Sequence, residues 1–311
     1  MGIIVVKGKD PQPIAVVDVV IRSSATTPKP DKSDGRKRRA YGSSTGEYNL
    51  VDRSILVREP VIRSQGTLIL ATHGIECGPG VAANHAATIR QLGRYAEVRV
   101  GCLKAAPDLA EAFVDAPLPI VIVPLLMSDG YIFDLVQRRL ASLPAANLRN
   151  LAPPVGQHPA LPELLLRSAD QVCRSQDWTR SDTSLLLIAH GTPRHRGSAR
   201  HARDQAQRLA GAGFAAVATS FLEEPPLPEH AVADLPPGPV VAVGLFVDNG
   251  PHGDEDVRIA LAPVADRVAY TGAVGADPAI ISLILAQADS VQGHDGRKST
   301  MEGESGGATS R

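Results

Sequence analysis

Between about residues 61 and 290 the chain alternates short aliphatic runs with longer stretches whose apolar positions recur at helical spacing. In the second half, the runs predict strands near 184–189, 214–221, 239–247 and 266–270, and the periodic stretches predict helices near 198–211, 228–234, 254–263 and 278–289. The runs LLLIA (185–189) and VVAVGLFV (240–247) are continuously apolar and do not alternate with polar residues. Strands of that kind are buried on both faces, as in a parallel sheet covered by helices. The expected fold class is therefore α/β, two similar doubly wound parallel-sheet lobes with a cleft between them.

Two lobes are expected because the pattern repeats. LILATHG (Leu68 to Gly74) matches LLIAHG (Leu186 to Gly191), and VGCLKAAP (Val100 to Pro107) matches TSFLEEPP (Thr219 to Pro226). PPVGQHPALPELLL and TGAVGADPAIISLIL close the two halves alike. The offset is 117 residues from His73 to His190, and 119 both from Lys104 to Glu223 and from Pro159 to Pro278. A fixed period of this kind marks two copies of one unit. The boundaries expected are 61–178 and 179–290 for the lobes, with 1–60 as a partly disordered N-terminal extension and 291–311 as a disordered tail. Within the extension, the Ser-, Pro- and charge-rich segment from Ser23 to Tyr48 has no apolar period with which to offset the entropy of ordering, whereas Ile14 to Ile21 resembles a strand.

A length of 311 residues with 43% hydrophobic content allows a large core, and a formal net charge of −1 provides no overall field for nucleic acid or an anionic membrane. Cys77, Cys102 and Cys173 are too widely spaced for a zinc or redox motif and read as small core residues of a reducing compartment. With no membrane-length apolar run and no signal-like N-terminus, a cytoplasmic protein is expected.

The chemistry gathers at strand ends. His190 follows the first strand of the second half, Glu223 the second and His252 the third, spaced by 33 and 29 residues, about one βα unit each. In a doubly wound sheet the loops after the strands converge at one edge, where ligands bind. Two imidazoles and a carboxylate suit a borderline divalent ion such as iron, cobalt, nickel or zinc. No cysteine cage or HExxH helix marks a permanently held metal. Gly191 permits a tight turn beside His190. Glu224 rivals Glu223 for the carboxylate role. His195, His201 and His230 read as loop or core histidines, and Arg194, Arg196, Arg200 and Arg203 follow His190 on its loop and helix.

The order HG(S/T) after the first strand, FLE after the second, and a Gly-x-His-like loop followed by Asp after the third resembles the sirohydrochlorin cobalt-/ferrochelatase family, in its long form with two chelatase-like halves. The resemblance runs from about Leu68 to Gln287. It implies insertion of Co²⁺ or Fe²⁺, or else Ni²⁺, into sirohydrochlorin or a related tetrapyrrole, without ATP or an organic cofactor, in cobalamin or sirohaem biosynthesis. His190, Glu223 and His252 would handle metal and protons. Gly191, Arg194 and Arg196 would meet the substrate, whose many carboxylates pair well with guanidinium groups. For Arg203, local pairing with Asp204 on a solvated helix face is the simpler reading.

The first half departs from this pattern. It keeps His73-Gly74 but has Lys104 in place of Glu223, and MSDGYIFD, with Tyr131, in place of VDNGPHGDED. A complete site is expected only in the second half, and His73 is a secondary candidate. Two other readings stand beside the chelatase: a non-catalytic metal- or tetrapyrrole-binding protein, and a histidine phosphatase. The latter usually has Arg directly before its His, where this chain has Ala189 and Thr72. A monomer or weak homo-oligomer is expected, because two fused halves already form the cleft.

Overall fold

The computed structural model describes residues 64–74, 78–143, 150–193 and 195–292. The strand-like run at 14–21, the segment 23–48, Cys77 and Arg194 lie outside them, as does the tail expected at 291–311 except for residues 291 and 292, which instead continue the last helix.

Strands β1 (Ser64–Thr72), β2 (Tyr95–Cys102), β3 (Ile120–Pro124) and β4 (Asn150–Leu151) form one sheet in the order β2-β1-β3-β4. Strands β5 (Ser184–Ala189), β6 (Ala216–Phe221), β7 (Val240–Gly244) and β8 (Val268–Ala273) form a second in the order β6-β5-β7-β8. Every pairing is parallel. The helices are α1 (Val81–Leu92), α2 (Tyr131–Ala141), α3 (Leu161–Ser175), α4 (Gly197–Leu209), α5 (Pro228–Ala233), α6 (Glu255–Leu261) and α7 (Ile280–Gln292). The two-lobed parallel α/β expectation holds, and the second-half elements fall within a few residues of their predicted bounds. No described helix is long and apolar enough to cross a membrane.

The continuous apolar runs are explained by three cores. Leu185 and Leu187 of β5 face inward with Leu68 and Leu70 of β1, Val121 and Val123 of β3, and Val241 and Val243 of β7, in a central core shared by both halves. The alternate residues, Leu186 and Ile188 on one sheet and Ile69 and Ala71 on the other, enter separate outer cores. The inner strands β3, β5 and β7 are thus buried along their whole length, with no polar alternation, whereas the edge strand β2 carries half-buried Glu97 and Arg99. Cys102 and Cys173 are free and buried in the central core, and burial raises both thiols above their ordinary pKa.

The halves exchange their last helices. α3, which ends the first repeat, packs on β7 and β8, and α7, which ends the second, packs on β3 and β4. Side-chain pairs follow the same crossing: Arg167 to Asp277 at 2.8 Å, Arg94 to Asp289 at 2.7 Å and Arg200 to Asp129 at 3.0 Å. These pairs are partly exposed, so each contributes about 1 kcal/mol at most and serves mainly to fix register. Gln287 donates to the Pro154 carbonyl, and His85 contacts the Gly275 carbonyl at 2.8 Å, both in buried positions along this seam.

Burial pushes His85, His158 and His201 below the ordinary imidazole value, since each ring is desolvated. An unfolded chain would protonate these rings near pH 6.5, whereas the folded one resists. Their contribution is therefore intact above about pH 6.5 and is lost as pH falls below it towards the depressed folded values. Urea midpoints should drop between pH 7.5 and 5.5, and the drop should shrink in His201→Gln, which removes a ring whose buried Nε2 has no hydrogen-bond partner. A pH-independent midpoint would contradict this assignment.

Candidate metal-handling site

The strand order explains the site. β5 lies between β6 and β7, so the loop carrying His190 emerges between the loops carrying Glu223 and His252. His190 Nδ1 lies 3.7 Å from Glu223 Oε2. Its ring meets that of His252 edge-on, with centroids 4.7 Å apart and planes at 74°. The three residues predicted from spacing are thus neighbours. Among the described residues no three His, Cys, Asp or Glu side chains stand close enough to hold a metal ion together. The arrangement is two pairs sharing His190 and not a closed cage.

Hydrogen bonding fixes which ring nitrogen is presented. Nδ1 of His190 lies 2.7 Å from the Gly191 carbonyl, and Nδ1 of His252 lies 2.7 Å from Asp256 Oδ2. A carbonyl and an ionised carboxylate can only accept, so in the neutral rings Nδ1 is the donor and the Nε2 lone pair is left free. Both side chains are partly exposed, 35% for His190 and 60% for His252, as groups that meet an incoming ion must be.

Gly191 adopts a φ of 63°, in the left-handed region, and a β-carbon there would lie 2.5 Å from Phe221 Cβ and 2.9 Å from Glu224 Cγ. Any side chain would push apart the loops bearing His190 and Glu223, which is why glycine follows the histidine. Backbone bonds from Leu222 and Glu223 to the His190 carbonyl clasp the same two loops. The adjacent carboxylates differ: Glu223 is exposed beside His190, whereas Glu224 turns inward, with Oε1 buried and without a hydrogen-bond partner.

The β7–α6 loop is equally constrained. The Tyr270 hydroxyl donates to the Gly253 carbonyl at 2.6 Å, and backbone bonds from Gly253 and Asp254 close on the Gly250 carbonyl. A side chain at Gly253 would overlap the Asp248 carbonyl oxygen. Asp248 is directed elsewhere: its carboxylate accepts from the Val81 amide at the start of α1, at 2.7 Å, joining this loop to the other half.

The arginines divide. Arg196 is exposed, at the start of α4 six residues beyond His190. Arg200 is held by Asp129 of the first half, and Arg203 lies over the Phe221 ring at 4.8 Å, beneath the site. His195, read as a bland loop histidine, joins the halves: its Nδ1 accepts from the Gly197 amide, and its Nε2 lies 3.8 Å from Asp134 on α2. In the first half His73 repeats the His190 geometry, with Nδ1 3.0 Å from the Gly74 carbonyl. There α2 begins at Tyr131, directly after Gly130, and no histidine stands at the third strand end.

Two parallel sheets with helices on both faces, related by an internal repeat and carrying imidazoles at the strand ends, define a two-lobed chelatase-type α/β fold. Residues 67–172 and 184–291 each match the CbiX family model, and the chain belongs to the CbiX family. It is 26% identical over 263 residues to a Halobacterium salinarum protein named "Probable sirohydrochlorin cobaltochelatase", covering 71% of this chain and 90% of that one. A solved structure of CbiX, described as the terminal enzyme for biosynthesis of siroheme in denitrifying bacteria, superposes with a TM-score of 0.60 at 27% identity, covering 73% of this chain and 99% of that chain. SirB from Bacillus subtilis, a sirohydrochlorin chelatase solved in complex with cobalt, shares the fold with a TM-score of 0.54 at 15% identity, over 75% of this chain and 98% of SirB.

Proposed function

We propose that this protein inserts a divalent metal, Co²⁺ or Fe²⁺, into sirohydrochlorin, without ATP or an organic cofactor. The observation that carries the reading is the convergence of His190, Glu223 and His252 at three neighbouring strand ends of one sheet. Membership of the CbiX family and the named activity of the Halobacterium relative agree with it.

The reaction replaces two pyrrole protons by one M²⁺, so two N–H bonds break and two protons leave while charge balances. The free Nε2 atoms of His190 and His252 are suited to accept those protons or to pass the ion, and Glu223 offsets the charge of the cation as it sheds water. Exposed Arg196, with Arg194 two residues before it in sequence, would pair with the macrocycle's carboxylates, and Gly191 lets the macrocycle approach the backbone. Ni²⁺ has the same ligand preference and is a third candidate. The lobes are assigned to 61–178 and 179–290, the active one being the second, in a monomeric or weakly associated cytoplasmic enzyme with no nucleic-acid or membrane partner.

The test is anaerobic absorbance of the protein with sirohydrochlorin and, separately, Co²⁺, Fe²⁺ and Ni²⁺, against metal-only controls. Turnover above the spontaneous rate is expected with at least one of cobalt and iron. Stoichiometric binding without turnover would make the protein a carrier and would refute the enzymatic reading. In the same assay His73→Ala should fall by less than about tenfold, since a residue off the reacting pair forgoes the larger loss typical of a general base. A larger loss would move the site to the first lobe.

A further inference from the structure

Asp256 has no role in the reading above, yet its carboxylate makes a short contact with one of the two histidines of the site. Its Oδ2 lies 2.7 Å from Nδ1 of His252. Two of the surrounding acids are otherwise engaged: Asp254 is taken by Arg258 at 2.6 Å, and Asp248 by the amide at the head of α1. Asp256 itself is fixed, being in the first turn of α6 with its amide bonded to the Pro251 carbonyl. The Tyr270 bond to Gly253 anchors the intervening loop. A side chain that is 60% exposed and eight residues past the end of β7 would otherwise sample several rotamers.

We propose that Asp256 is a positioning residue that holds the His252 ring in its Nδ1–H tautomer, with Nε2 left bare, beside His190. The proposal rests on the chelatase reading for its consequence, and on the hydrogen bond alone for its geometry. A free imidazole favours the opposite tautomer. Without the carboxylate, His252 would more often carry its proton on Nε2, the nitrogen that must be bare to accept a pyrrole proton or to meet an ion. Outer carboxylates behind metal-binding histidines act in this way, and their loss typically costs about 10- to 100-fold in affinity or activity. The first half supplies the contrast: α2 begins directly after Gly130, and neither the histidine nor a carboxylate pair of this kind is present.

Two readouts separate this proposal from the chelatase reading. Long-range ¹H–¹⁵N NMR of the parent without metal should show His252 as the Nδ1–H tautomer, and Asp256→Ala should shift it towards Nε2–H; this needs no turnover. In the metal-insertion assay, Asp256→Ala should lower kcat/KM about 10- to 100-fold. Asp256→Asn, whose amide oxygen still accepts from Nδ1–H, should restore most of that loss. The double variant His252→Ala/Asp256→Ala should be no slower than His252→Ala, because Asp256 acts through His252. An Nε2–H tautomer in the parent, an additive double variant, or an Asn variant as impaired as Ala would each overturn the proposal. An inactive parent with the Nδ1–H tautomer intact would instead defeat the chelatase reading and leave the positioning role standing.

Discussion

Replacing His190 by alanine should reduce metal insertion about 100-fold or more, the low end of what a positioned general base contributes, while thermal stability changes little. His190 is the one residue that both of the other site side chains reach, Glu223 at 3.7 Å and His252 in ring contact. Its removal dissolves both pairs at once. Its ring lies outside the cores, one-third exposed, and among the described residues its only short bond is to the neighbouring Gly191 carbonyl, so truncation opens no cavity. The His190 carbonyl, which clasps the β6 loop, is retained. His252→Ala should lose a similar factor, with the double variant close to either single one, because groups that act as a unit are not additive. The check is steady-state kinetics of the three variants beside their melting curves. A His190→Ala protein that keeps more than a tenth of the parent rate would show that Glu223 and His252 suffice, and would refute the central role given to His190.

The sequence carried this site for a definite reason. In a parallel sheet, chemistry collects at strand ends, and strand ends are legible where a buried apolar run meets a glycine. LLLIAHG shows such an end at His190, and the repeat offsets place Glu223 against Lys104 by position alone. The fold class followed from the same runs, since a strand buried on both faces cannot alternate. Other features depend on long-range partners, which local pattern does not encode. Arg200 reads as one of several cations on α4, but it is bound to Asp129 from 71 residues away. Arg203 was expected beside Asp204, whereas its guanidinium stacks on Phe221. Glu223 and Glu224 are chemically identical, yet Glu223 is exposed while Glu224 lies against Gly191 with its Oε1 buried. The pairing of His252 with Asp256 left a trace, four residues of separation across a helix start, but four acids crowd that loop and spacing alone does not choose among them.

The exchange of α3 and α7 was the least legible feature, because an amphipathic face does not state which sheet it will cover, and it governs the second large effect. Expressed alone, residues 61–178 and 179–292 should each fail to fold as monomers, although each contains a complete four-stranded sheet. In the intact chain Ile280, Ile281, Leu283, Ile284 and Leu285 of α7 are buried in the central core, and that helix packs on β3 and β4 of the first half. Burying five such side chains contributes on the order of 10 kcal/mol. A domain's whole stability is only about 5–15 kcal/mol, so a first half without α7 has nothing in reserve. The second half loses α3, with Leu161, Leu164 and Leu165, from β7 and β8 in the same way. Produced together, the fragments should co-purify and recover metal insertion, since every contact of the seam is non-covalent. Amide NMR dispersion and sedimentation of each fragment would decide the matter. A fragment that dimerises could cover its own exposed face with its partner's terminal helix, and folding would then depend on concentration. Only a monomeric fragment with dispersed amides and a cooperative melt would contradict the prediction, because it would require one sheet to close its inner face without the helix that the other half supplies.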